Sequence, residues 1–123
     1  MAHADLLITL TAYENNPNNV TIAFTMGTKA LEKGHTVELL LLSDAVYLAE
    51  TGYADKIDIG EPFQPIKELL PAFLRQGGKI KVCSACMKHN GVKEENLIEG
   101  SEVIQADDVI DSIMNSEKTL QLN

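Results

Sequence analysis

Tryptophan is absent, and all aromatic residues together make up only 5% of the 123 positions. A surface for single-stranded nucleic acid stacks bases on aromatic rings, so this composition argues against one. Basic residues are scarce as well: 10 Lys and Arg stand against 18 Asp and Glu, and a net charge of -8 repels phosphate backbones and anionic headgroups. No apolar run approaches the roughly 20 residues of a membrane-spanning helix. The opening MAHADLLITL has no basic stretch ahead of its apolar part, as an export signal would. A cytoplasmic protein is therefore expected, with no nucleic-acid and no membrane partner. The glycines Gly27, Gly34, Gly52 and Gly60 fit neither a dinucleotide fingerprint nor a nucleotide-triphosphate loop, so no cofactor is expected. No Ser/His/Asp pattern stands out. Cysteine occurs only at positions 83 and 86, too few and too close for the dispersed disulfide framework of a small secreted protein.

What is present is ordinary globular composition, 45% hydrophobic and 23% charged, in a length that suits one domain over residues 1–123 with one core. Residues 6–10 form a continuous apolar run, the pattern of a strand covered on both faces. The cluster Asn15, Asn16, Pro17, Asn18 and Asn19 then predicts a loop and a helix start, with Asn16 or Asn18 as cap and Pro17 in the first turn. Helical spacing of Ile22, Ala23, Met26, Ala30 and Leu31 runs to a stop at Gly34. Residues 36–42 read as a central strand, and Ser43 and Asp44 as caps of a short helix over 45–50. Residues 53–64 read as loop. The 65–76 stretch is helical by pattern, but its interior Pro71 predicts a kink or a split. A strand over 79–82, a short helix closed by Gly91, a strand over 102–105, a helix over 107–115 and a strand over 119–122 complete the reading. Alternation of strands and helices at crossover spacing means α/β, a three-layer domain with a mainly parallel five-stranded sheet.

Reactive groups in such sheets collect beyond the carboxyl ends of the strands. Three of those ends carry informative residues: Tyr13 and Glu14 after the first, Asp44 after the second, and the segment KVCSACMKHNG after the third. Cys83 and Cys86, three apart at a strand-to-helix junction, would share one face of a first helical turn. Unpaired N–H groups there favour a thiolate, which is the nucleophile. Both cysteines are assigned as candidate catalytic residues, with Tyr13, Glu14, Asp44 and His89 as candidate binding residues. Cys83, Cys86 and His89 are also acceptable zinc ligands. A structural zinc takes four, however, and only His3 and His35 remain as nitrogen donors, so no metal is expected. The pair fits two chemistries, a sulfur carrier and a dithiol-disulfide oxidoreductase or redox sensor. A non-catalytic subunit with idle cysteines is the third reading.

The order of features narrows this. An N-terminal apolar strand, an asparagine-rich loop, a helix ending in Lys33-Gly34-His35, the strand to Leu42 and then Ser43-Asp44-Ala45-Val46-Tyr47-Leu48 resembles the DsrE-like family of small sulfur-relay proteins. So does Val82-Cys83 with Gly91 eight residues on, followed by Leu97-Ile98-Glu99-Gly100. The resemblance implies a flavodoxin-like α/β domain, a homotrimer or homohexamer, and sulfane sulfur carried as a persulfide on Cys83. Its partners would be sulfur donor and acceptor proteins or small persulfides. Whether it acts as a sulfurtransferase enzyme or as a carrier stays open. Cys86 is an extra thiol relative to single-cysteine members, and His89 and Asn90 stand where basic residues often precede the glycine. The apolar residues Tyr47, Leu48, Tyr53, Ile57, Ile59 and Phe63 are expected to supply part of a subunit contact.

Overall fold

The computed structural model describes residues 3–123. Its strands are β1 (Leu6–Leu10), β2 (Val37–Leu41), β3 (Lys79–Cys83), β4 (Ser101–Ile104) and β5 (Lys118–Leu122), and its helices α1 (Pro17–Glu32), α2 (Ile66–Arg75), α3 (Ser84–Asn90) and α4 (Ala106–Asn115). Three 3₁₀ segments, Ser43–Ala49, Ala54–Lys56 and Glu94–Asn96, fill the connections. The five strands form one sheet in the order β4-β3-β2-β1-β5, every neighbouring pair parallel. This is the expected three-layer α/β architecture, in a strand order different from the 2-1-3-4-5 of flavodoxin itself.

That order decides where the helices go. From β1 to β4 the chain steps steadily in one direction, and right-handed crossovers place everything between those strands on one face. The return from β4 to β5 runs the other way and puts α4 alone on the opposite face. The burial follows this division. The main core holds Ile8, Leu10, Leu39, Leu41, Ile80 and Val82 from the strands against Phe24 of α1, Phe73 of α2 and Met87 of α3. The other face has only Leu7, Leu40 and Ile104 as a buried apolar group, with Leu42 and Val109 packed beside them. Polar residues occupy the rest of it: Lys81 Nζ lies 3.2 Å from Glu38 Oε1, and Ser112 Oγ of α4 donates to the same oxygen at 3.3 Å.

Local rules explain most element ends. Asn16 caps α1, its side chain accepting from Asn19 N–H at 3.2 Å, with Pro17 in the first turn as expected. Gly91 closes α3 at φ 77, a left-handed conformation that costs glycine nothing. Helix α2 runs unbroken through Pro71, so of the two expected outcomes the split does not occur. The proline is exposed, so the unpaired Lys67 carbonyl one turn back is left on the solvent side, while Ile66, Leu69, Leu70 and Phe73 anchor both halves to the core. Ser43 and Asp44 do not cap either: the 3₁₀ segment starts after an extended Leu42 with no side-chain cap bond, and Ser43 sits at φ 53. Within the 47–63 stretch, Tyr47, Tyr53 and Ile59 are half-buried. Leu48, Ala49, Ala54 and Ile57 are buried in the main core, leaving Phe63 as its exposed large apolar residue. Apolar side chains also reach solvent on α4, at Ile110, Ile113 and Met114, and on α1 at Met26.

Candidate functional site

The thiols lie at the carboxyl end of the sheet because β3 stops where α3 starts. Cys83 is the last residue of β3, paired with Ile104 of β4, and at φ -69, ψ 120 it is also the N-cap of α3, without a side-chain capping bond. It is 8% exposed. Cys86, one turn along α3, is half-buried against the main core. Both are free thiols. The Cys86 thiol is pushed above its ordinary value of 9.0, first by burial; a backbone hydrogen bond from Ser43 works in the other direction, and a hydrogen bond and Coulombic repulsion from Cys83 add to the rise. Raised above 9.0, Cys86 keeps its proton at neutral pH.

Ser43, just past β2, provides a second wall. A non-glycine residue at φ 53 is uncommon, because Cβ then crowds the backbone. Asn90 holds this turn to α3: its side-chain amide donates to Cys86 O at 2.9 Å and to Ser43 O at 3.3 Å. Tyr47 in turn donates its hydroxyl to Asn90 O at 2.9 Å. Behind it, all three tyrosines of the chain form one cluster. Tyr47 and Tyr53 stack at 5.9 Å and 8°, and Tyr13 lies 5.6 Å and 6.3 Å from them. The Tyr13 hydroxyl donates to Tyr53 O at 2.6 Å, and burial followed by the charge of Glu14 raises its pKa to about 12.

The sequence-predicted residues thus separate. Cys83 and Cys86 come together as expected. Tyr13 reaches the same edge of the sheet, but it is buried and its hydroxyl is used internally, which suits a support for Tyr47 and Tyr53 better than a substrate contact. Glu14 and His89 are exposed, and Asp44 lies half-buried in the first turn of the 3₁₀ segment. Among the described residues, no three His, Cys, Asp or Glu side chains come together as a metal-ligand set. Ser43, Tyr47 and Asn90 were not assigned as site residues from the sequence. The one available signal was position: Ser43 follows the second strand, and Asn90 immediately precedes the glycine that ends the cysteine helix. An open depression of about 460 Å³ runs along the other side of α3, lined by Met87, Val92, Val103, Lys88, Lys93 and Glu94 among others, and neither cysteine lines it.

A parallel α/β sheet with a paired-thiol strand end is the class of protein that this geometry defines. The chain belongs to the DsrE/DsrF-like family, whose model matches residues 5–122. It is 30% identical to an uncharacterized protein of Methanopyrus kandleri over 91 residues, 74% of this chain and 71% of that protein. It is 33% identical to an uncharacterized protein of Methanocaldococcus jannaschii, over 74% of this chain and 75% of that one. In fold it is similar to the crystal structure of the YchN protein of E. coli, with a TM-score of 0.79 at 20% identity over 98% of this chain and 99% of that chain. It is also similar to a Methanobacterium thermoautotrophicum protein of unknown function, at TM-score 0.70 and 12% identity over 94% and 96% of the two chains. No helix among the described residues is long and apolar enough to cross a membrane.

Proposed function

We propose that the protein is a sulfur-relay carrier that binds sulfane sulfur as a persulfide on Cys83 and passes it on. The observation that carries this reading is the pairing of two thiols at one strand end, in a member of the DsrE/DsrF-like family: Cys83 sits at the junction of β3 and α3, and Cys86, one turn on, is pushed above 9.0 by burial. In loading, the Cys83 thiolate attacks the outer sulfur of a donor persulfide, R–S–SH. A Cys83 S–S bond forms, the donor S–S bond breaks, and the electron pair leaves with the donor as R–S⁻. Unloading repeats the step with an acceptor thiolate as attacker, so no external oxidant or reductant enters. The 8% exposure of Cys83 shelters the persulfide from bulk solvent. Partners are donor and acceptor proteins or small persulfides.

A protonated Cys86 matters because its thiolate would open a competing route. It would attack Cys83, form the Cys83–Cys86 disulfide and expel HS⁻. Raising the pKa of Cys86 suppresses that discharge. The dithiol-disulfide oxidoreductase is the second reading, favoured by two free thiols three residues apart at the β3–α3 junction. Incubating the persulfide-loaded protein with a small acceptor thiol discriminates between them. The carrier reading expects sulfane sulfur on the acceptor and its loss in Cys83→Ser; disulfide reduction without sulfane transfer would replace it by the second reading. The carrier is further proposed to be a closed homo-oligomer, a trimer or hexamer, using the exposed Ile110, Ile113 and Met114 of α4.

A further inference from the structure

Asn90 occupies a position that neither helix capping nor core packing requires. It is half-buried at the end of α3, yet its single side-chain amide spans two elements, taking Cys86 O within its own helix and Ser43 O at the end of β2. Its main-chain oxygen is held independently by the Tyr47 hydroxyl. The element it reaches holds the one non-glycine residue at positive φ among the described residues, Ser43 at φ 53. A serine in the left-handed region tends to relax out of it unless its surroundings hold it there. The amide bond to Ser43 O is such a hold, and it ties Ser43 to the turn of α3 that carries Cys86, whose thiol the Ser43 backbone draws down against the effect of burial.

We propose that Asn90 is a positioning residue for the thiol pair: its amide locks the strained Ser43 turn to α3 at the Cys86 carbonyl and so holds the Ser43 backbone beside Cys86. A backbone N–H held beside a thiol favours its thiolate, and the thiolate is the form that attacks a persulfide. Asn90 therefore tunes how often a loaded Cys83 is discharged as a disulfide rather than unloaded onto an acceptor. That consequence for sulfur transfer rests on the carrier reading, whereas the geometry does not. The ionisable groups of the surrounding elements are Cys83 at the strand end, Asp44 and Tyr47 on the 3₁₀ segment, and Lys88 and His89 on α3. Tyr47 is turned to Asn90, while Lys88 and His89 are exposed.

The test reads Cys86 alone, by iodoacetamide alkylation against pH in a Cys83→Ser background. Losing a hydrogen bond to a charged group predicts that Asn90→Ala moves the Cys86 midpoint upward by about 1 pH unit, a tenfold slower alkylation at any pH below it. Tyr47→Phe removes the neighbouring bond without touching the amide and leaves the midpoint in place. Adding Ser43→Gly to Asn90→Ala brings the midpoint part of the way back, because glycine adopts the turn without the Cβ penalty. An unmoved midpoint in folded Asn90→Ala, an equal shift in Tyr47→Phe, or no recovery with Ser43→Gly would each overturn the proposal. Should Asn90→Ala fail to fold, Asn90→Ser, too short to span both carbonyls, gives the same readout; failure of both to fold would make Asn90 a fold determinant and also overturn it. The carrier reading is checked separately in the parent protein. A midpoint that moves while Cys83 takes up no sulfane sulfur keeps the positioning role and sinks the carrier.

Discussion

The lifetime of a Cys83 persulfide should depend on pH through Cys86, and the sign follows from the geometry. Burial and the neighbouring Cys83 hold the Cys86 thiol above 9.0, so its thiolate is the minor form throughout the neutral range. With a pKa above 9.0, fewer than about 1 in 100 Cys86 thiols are ionised at pH 7, and the fraction grows about tenfold per pH unit until that pKa is reached. Internal discharge should follow it: from pH 6 to pH 8 the release of HS⁻ from loaded protein rises about 100-fold. The assay loads the protein with a small sulfane donor, removes the donor, and follows released sulfide and the Cys83–Cys86 disulfide by non-reducing peptide mass. Cys86→Ser should abolish the pH-dependent release while leaving the loaded form intact. A release rate flat between pH 6 and pH 8, or an identical profile in Cys86→Ser, would refute the assignment of Cys86 as the proton-bearing neighbour.

Other expectations concern the frame that holds the site. A Cβ at Gly78 would lie 2.5–2.6 Å from three ring atoms of Phe73, which is fully buried and packed edge-on against Phe24. Gly78→Ala should therefore cost about 1–3 kcal/mol by urea denaturation, and a loss under about 0.5 would mean that the ring has room to move. Lys81→Ala leaves Glu38 buried without its cation and should cost about 3 kcal/mol, whereas the paired change Lys81→Met with Glu38→Leu should cost far less; equal losses would show that the ion pair is not the source. Ile110→Asp with Met114→Asp should reduce the proposed oligomer to its 13.4 kDa protomer in light scattering, with Phe63→Asp as an inert control. Assembly surviving the α4 changes would move the contact elsewhere.

Much of this fold is local and could be read from the chain. Asn16 with Pro17 starts α1, Gly91 ends α3, and the apolar runs of β1 and β2 report strands buried on both faces. Cys83 at a strand end was legible for the same reason. What escaped depends on contacts far apart in sequence. The left-handed Ser43 is held by Asn90, 47 residues on, and Tyr13 bonds to Tyr53 across 40 residues, so neither shows in any local spacing. Pro71 does not split α2 because the carbonyl it frees lies on the exposed side of the helix, which lowers the cost that an interior proline carries.

The central claim is that sulfane sulfur resides on Cys83. Intact and peptide mass analysis of the reduced protein after incubation with a small persulfide donor tests it most directly, in wild type, Cys83→Ser and Cys86→Ser. The account predicts the mass of one added sulfur atom on Cys83 in wild type and in Cys86→Ser, and none in Cys83→Ser. Added sulfur found on Cys86 in Cys83→Ser, or no sulfur on Cys83 in Cys86→Ser, would contradict it.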